Sequence, residues 1–144
     1  MHVHNVLKVK GSAVATIAPD ASLADATASL RDHGVGALVV SRDGRTIDGI
    51  LSERDVVRAL AAHGASTLGH QVSSAMSTSV TTCRGDDTID QMMGMMTDRR
   101  IRHLPVVDDD GKLDGIISIG DVVKARVGQL ELENNQLHDY IQAR

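Results

Sequence analysis

Aromatic side chains are nearly missing from this chain: of its 144 residues none is Trp or Phe, and Tyr140 is the one Tyr. Single-stranded nucleic acid therefore finds no aromatic platform on which to stack its bases, and a formal net charge of -4 gives no general electrostatic hold on a phosphate backbone. Cysteine is as scarce. The lone Cys83 excludes an internal disulfide and a cysteine-based zinc cage, and no His and Asp constellation beside it marks a nucleophile. No run reaches the apolar length of a membrane span, and the first residues, Met-His-Val-His-Asn-Val-Leu-Lys, lack the charged-then-apolar layout of a signal peptide. The expectation is a cytoplasmic protein without nucleic-acid or membrane partners. What the chain does have is aliphatic: 42% of it is apolar, so the core must be built from Val, Ile, Leu, Met and Ala within one compact unit.

The chain also repeats itself. Gly49-Ile50-Leu51-Ser52-Glu53-Arg54-Asp55-Val56-Val57-Arg58-Ala59 returns 66 residues later as Gly115-Ile116-Ile117-Ser118-Ile119-Gly120-Asp121-Val122-Val123-Lys124-Ala125. The same shift, without a gap, carries Ala37-Leu38-Val39-Val40 onto His103-Leu104-Pro105-Val106 and Asp20, Asp32 and Asp48 onto Asp86, Asp98 and Asp114. Two copies of one supersecondary unit imply a pseudo-two-fold pair in which each covers the other's apolar face. A site between the copies is the natural expectation.

Each copy reads strand, helix, strand, strand, helix. Ser22 with Asp25 three residues on marks a helix entry, followed by Leu23, Ala26, Ala28 and Leu30. The second copy places Asp87-Thr88 before Ile89, Met92, Met93, Met95 and Met96, and methionine at helical spacing reads as deformable core filling. Apolar runs at Ala37 to Val40 and Ile47 to Leu51, and again at Leu104 to Val107 and Leu113 to Ile117, flank polar turns that carry Gly44 and Gly111. A short strand is expected to open each copy, around Thr16-Ile17 in the first and Val80 to Thr82 in the second.

Both copies end their last strand in Ser-x-x-Asp and then enter a helix. This puts free N–H groups, a hydroxyl and a carboxylate at one helix N-terminus, where anions are favoured. The hydroxyls of Ser52 and Ser118 can donate to a phosphate, and the carboxylates of Asp55 and Asp121 can accept from a ribose diol. Plain helix capping accounts for either pair taken alone; its recurrence in both copies favours a ligand.

Gly-Ile-Leu-Ser-x-x-Asp together with His-Leu-Pro-Val-Val-Asp resembles the CBS domain, present twice from about Leu7 to Gln129. The resemblance implies an α+β fold of two β-α-β-β-α repeats, here 7–66 and 72–129, packed sheet against sheet with a C-terminal helical extension at 130–144. It also implies a non-catalytic adenosine-ligand sensor, a Bateman module, rather than an enzyme. AMP, ADP, ATP, S-adenosylmethionine or NAD(H) would be the ligand. The family's ribose-binding acid falls on Asp55 and Asp121 and its hydroxyl partner on Ser52 and Ser118. Residues before the Leu-Pro-Val strand that contact phosphate fall on Arg102 and His103, with Pro105 following. Thr16, Ile17, Val80 and Thr82 would line the base. In the first copy Gly36 and Ala37 stand where Arg102 and His103 would be, and Val39 replaces Pro105. Either one cleft holds phosphate less firmly, or the small side chains make room for a dinucleotide, with Arg54 supplying charge.

Asp108-Asp109-Asp110 lacks the ligand spacing of an EF-hand, and His2 and His4 sit on a terminus that ordinarily frays, so no metal is assigned. Val127, Leu130, Asn134, Leu137 and Ile141 follow heptad spacing; this stretch either pairs with a second subunit or lies on its own domain. The resemblance points to a homodimer, and a signal would leave through an unidentified protein partner. The competing reading is a ligand-free interaction or scaffold homodimer.

Overall fold

The computed structural model describes residues 1–143; position 144, the last of the expected C-terminal extension, lies outside the described residues. Helix α1 (Val3–Lys10) precedes two sheets of three strands. In the first, β1 (Thr16–Ile17) runs parallel to β2 (Ala37–Val40), which pairs antiparallel with β3 (Gly49–Ser52), and α2 (Leu23–His33) and α3 (Glu53–His63) follow β1 and β3. In the second, β4 (Cys83–Arg84), β5 (His103–Val107) and β6 (Leu113–Ser118) repeat that order, with α4 (Ile89–Arg99) after β4 and α5 (Ile119–Gln142) after β6.

Strand alternation divides the apolar residues between two faces. Leu38 and Val40 of β2 join Leu23, Ala26 and Leu30 of α2 in one core, and Leu104 and Val106 of β5 join Ile89, Met92 and Met96 of α4 in the other. Met93 and Met95 pack against that second core, so the methionines do fill space. Ala37 and Val39, on the opposite face of β2, are 4% and 0% exposed yet belong to neither core. The other repeat covers them. A Cβ built on Gly36 would stand 3.2 Å from Cε1 of His103, which places the starts of β2 and β5 against each other. At the far ends the hairpin turns also meet, with the Leu113 N–H donating to the Arg45 carbonyl at 2.8 Å.

The helix ends follow their local sequences. Ser22 caps α2 by accepting from the Asp25 N–H, and Thr88 caps α4 in a reciprocal box with Gln91. Gly34 closes α2 in the left-handed region at φ 63°; its counterpart closing α4 is Arg100, at φ 54°. There a side chain is held where glycine fits without strain.

The second copy begins later than expected. Val80 to Thr82 form no strand, and pairing starts at Cys83, opposite Val106. Val80 and Thr81 match Val14 and Ala15, which lie before β1, and at Thr82 the cause is Pro105. In the first copy the Val39 N–H donates to the Ala15 carbonyl at 3.3 Å, whereas Pro105, in the matching place, has no N–H to give.

The segments ahead of the two copies are exchanged. Val3 lies in the core of the second repeat with Val6 and Leu7 packed on it, and Val72 lies in the core of the first. Backbone bonds match in kind: the Val3 N–H donates to Asp87 and the Val72 N–H to Ala21, while Ile89 donates to the Met1 carbonyl and Leu23 to that of His70. Residues 1 to 10 thus correspond to 70 to 79 at a spacing of 69, three more than the shift that relates the rest. Leu7, expected to open the first repeat, instead sits on Gly115 of the second.

No break separates the second repeat from the C-terminal extension, because α5 is continuous for 24 residues. Val127, Leu130, Leu137 and Ile141 are 48%, 48%, 58% and 59% exposed, so their stripe does not lie on its own domain. No helix among the described residues is long and apolar enough to cross a membrane.

Candidate functional site

The two Ser-x-x-Asp turns have the same internal geometry. Asp55 Oδ2 accepts from the Ser52 N–H at 2.9 Å and its hydroxyl at 3.0 Å, and Asp121 Oδ2 accepts from the Ser118 N–H at 2.9 Å and its hydroxyl at 3.0 Å. Each serine oxygen in turn accepts from the aspartate N–H, closing a capping box at the start of α3 and of α5. Capping consumes only Oδ2. Among the described residues Oδ1 of either aspartate accepts no hydrogen bond, so each half-buried carboxylate keeps one oxygen for a diol or an amine.

The surroundings of the two carboxylates differ. Asp55 borders an open hollow of about 380 Å³ shared with Arg58, His63, His70 and Ser74. Asp121 instead meets Lys10 at the end of α1, with Nζ 2.6 Å from Oδ2 and also donating to the Ile116 carbonyl at 2.9 Å. Burial opposes the Asp121 charge, but the hydrogen bonds from Lys10 and Ser118 outweigh it and hold the carboxyl below its ordinary pKa. In the first repeat the Ile50 carbonyl receives the backbone N–H of Ser77 at 2.9 Å. The lysine ammonium therefore does for Ile116 what a backbone donor does for Ile50. Sequence reasoning missed Lys10, because the altered spacing of 69 hides that residues 1 to 10 belong beside the second repeat.

His103 stands at the junction of the repeats, on the face of β5 turned toward the first. Burial, and then the neighbouring Lys10 charge, push its pKa below the ordinary histidine value despite Glu53 and Asp121 nearby. At neutral pH the ring is uncharged and offers a phosphate one N–H rather than a cation. It also fills the room left by Gly36, at 3.2 Å from the position of a Cβ there. The ring thus stands beside Gly36, one of the small first-copy residues expected to leave room for a dinucleotide.

The remaining predicted residues are distributed around this junction. Thr16 and Ile17 are half-buried on β1, beside Val39 and Val40, and Pro105 is buried on β5. Val80 and Thr82 are half-buried in the segment before β4. Arg102 and Arg54 are exposed at the sheet and helix entries, and neither forms an ion pair among the described residues. Cys83 is buried, and burial followed by the Asp87 charge pushes its thiol up to about 12, which suits packing rather than nucleophilic chemistry. Among the described residues no cluster of three or more His, Cys, Asp or Glu side chains could hold a metal.

The CBS domain family matches at residues 9–62 and again at 72–128. The CBS domain-containing protein CBSX3, mitochondrial, of Arabidopsis thaliana is 36% identical over 148 residues, covering 97% of this chain and 71% of that protein. The crystal structure of the CBS-domain containing protein ATU1752 from Agrobacterium tumefaciens is 48% identical with a TM-score of 0.83, covering 87% of this chain and 92% of that one. The CBS domain protein PAE2072 from Pyrobaculum aerophilum, solved complexed with AMP, is 25% identical with a TM-score of 0.79, covering 93% of this chain and 99% of that one. Two matched copies facing each other through β2 and β5, each with the same capped Ser-x-x-Asp turn, place the chain in the CBS domain family as a tandem pair.

Proposed function

We propose that this chain is a non-catalytic regulatory module that binds an adenine nucleotide, AMP, ADP, ATP or NAD(H), between its two repeats. The observation that carries the reading is the duplicated carboxylate whose capping role leaves Oδ1 unused in both repeats. The AMP complex of the similar Pyrobaculum protein supports the ligand class. In this reading the carboxylate of Asp55 or of Asp121, whichever cleft fills, accepts from ribose hydroxyls, Thr16, Ile17, Val80 and Thr82 line the base, and Ser52, Ser118, Arg54, Arg102 and His103 face phosphate. Pro105 shapes the strand between them. Ligand shifts the angle between repeats only by binding one arrangement better than the other. A cytoplasmic location and a protein receiver for the signal belong to the same proposal.

Calorimetric titration of nucleotide-stripped protein with AMP, ATP, NAD and NADH tests it. Micromolar binding that Asp55→Ala or Asp121→Ala abolishes is the expected result, without turnover of the bound nucleotide. No heat with any of the four ligands would leave the ligand-free scaffold reading standing. One observation favours a homodimer under either reading: Val57 and Leu60 of α3 and Val123, Val127 and Leu130 of α5 expose an apolar surface. Sedimentation of the same samples should report a dimer that Leu130→Glu dissociates.

A further inference from the structure

Of the two Ser-x-x-Asp turns, one is open to solvent and the other is engaged by the chain's own N-terminal helix. Lys10 is not a loose surface cation. Val3 anchors α1 in the second core, Leu7 lies on Gly115, and the Gly11 N–H closes the helix on the Leu7 carbonyl at 2.7 Å, so the last turn of α1 is fixed where its ammonium reaches Asp121. Nζ makes two charge-assisted contacts there, to Asp121 and to the Ile116 carbonyl. The position corresponding to Lys10 ahead of the first repeat is Ser79, which cannot form such an ion pair.

We propose that Lys10 is a built-in competitor that closes the Asp121 site, so that the module binds one nucleotide per chain, at Asp55. This rests on the nucleotide reading and adds which cleft works. A ribose diol approaching Asp121 meets an ammonium already held on Oδ2, beside the one oxygen that capping leaves open, and can engage both carboxylate oxygens only by displacing it. At Asp55 no cation is paired with the carboxylate among the described residues, and the diol has the neighbouring hollow, with Arg58 on its lining, to enter. Movement of α1 away from the second repeat withdraws Lys10 and frees the second site, so a partner that captures this helix raises the capacity of the module from one ligand to two.

The test is AMP titration by calorimetry on the full chain and on Lys10→Met, Asp55→Asn, Asp121→Asn and the Lys10→Met/Asp121→Asn double variant, with thermal melts to establish that each is folded. The unaltered chain should take one AMP, lost in Asp55→Asn and kept in Asp121→Asn. Lys10→Met should take two, the second at least about tenfold tighter than any residual binding at Asp121 in the unaltered chain, and the double variant should return to one. Two sites in the unaltered chain, one site lost with Asp121→Asn, or a Lys10→Met variant that gains nothing or binds more weakly would overturn the proposal. Weaker binding in that variant would make Lys10 a ligand contact instead. Heat in Lys10→Met alone would preserve the closure and refute the use of Asp55, whereas no heat in any variant removes the nucleotide reading and the competitor role together.

Discussion

At Ser52 and Asp55 and at Ser118 and Asp121 the same four-residue turn is bonded in the same way, while the chain that reaches each turn from elsewhere is different. Beside Asp55 the preceding segment, residues 72 to 77, adds a short backbone bridge from Ser77 to Ile50. Beside Asp121 the corresponding segment is a helix, and its lysine occupies both the carbonyl and the carboxylate. The comparison separates two kinds of information. A capping box is fixed by residues three apart and survives duplication unchanged; accessibility is fixed by residues farther off, 111 positions away for Lys10 and Asp121 but about twenty for Ser77 and Asp55, and has diverged.

The largest expected effect that would sharpen this contrast is at Gly49, which opens β3, and at its counterpart Gly115 within β6. A Cβ at Gly49 meets Met76 Sδ at 2.7 Å and the Ser77 carbonyl oxygen at 2.8 Å, whereas one at Gly115 meets only the methyl ends of Leu7, at 2.9 and 3.0 Å. A backbone carbonyl cannot turn aside and a leucine tip can. Gly49→Ala should cost about 2–3 kcal/mol and Gly115→Ala about 1 kcal/mol in urea unfolding; equal losses would mean that α1 is held as rigidly as the backbone bridge. Next in size is the α-helix exit. Arg100→Gly should stabilise by about 1 kcal/mol by relieving a left-handed side chain, and Gly34→Ala should destabilise by about the same amount, read as opposite shifts in melting temperature.

The smallest effect concerns pH. The Asp121 carboxyl is held below its ordinary pKa in the folded chain, so it contributes stability that is present above the unfolded-state value, about 4, and is lost as pH falls through the folded value. Lys10→Met removes one cause of that depression. The stability gap between the unaltered chain and the variant should therefore be widest near pH 7 and shrink at about pH 3, measured by denaturant unfolding at both. A gap that stays constant would show that Lys10 contributes packing alone.

The duplicated elements were legible in the sequence because their signals are local. Ser22, Ser52 and Ser118 cap the helices they announce, Leu38 and Leu104 alternate inward on their strands, and the methionines of α4 lie in the core. The second copy's first strand starts after Thr82, whose pairing Pro105 prevents from across the sheet, more than twenty residues downstream. The room at Gly36 read as space for ligand, and only the folded arrangement brings the His103 ring into it. Lys10 escaped notice for a similar reason. A search for one constant spacing cannot find a counterpart shifted by three residues.

The exchange of leading segments also sets an order of assembly during synthesis. The first repeat lacks Val72 until the linker has left the ribosome, so its core closes before the second repeat exists. Helix α1, made ahead of both repeats, has no seat until β4 through the start of α5 have been added. At about 5–20 residues per second this helix waits several seconds before its seat is made. Chain made only as far as residue 76 already holds every residue of the first core, while its apolar Val3 and Leu7 remain available to whatever binds nascent helices.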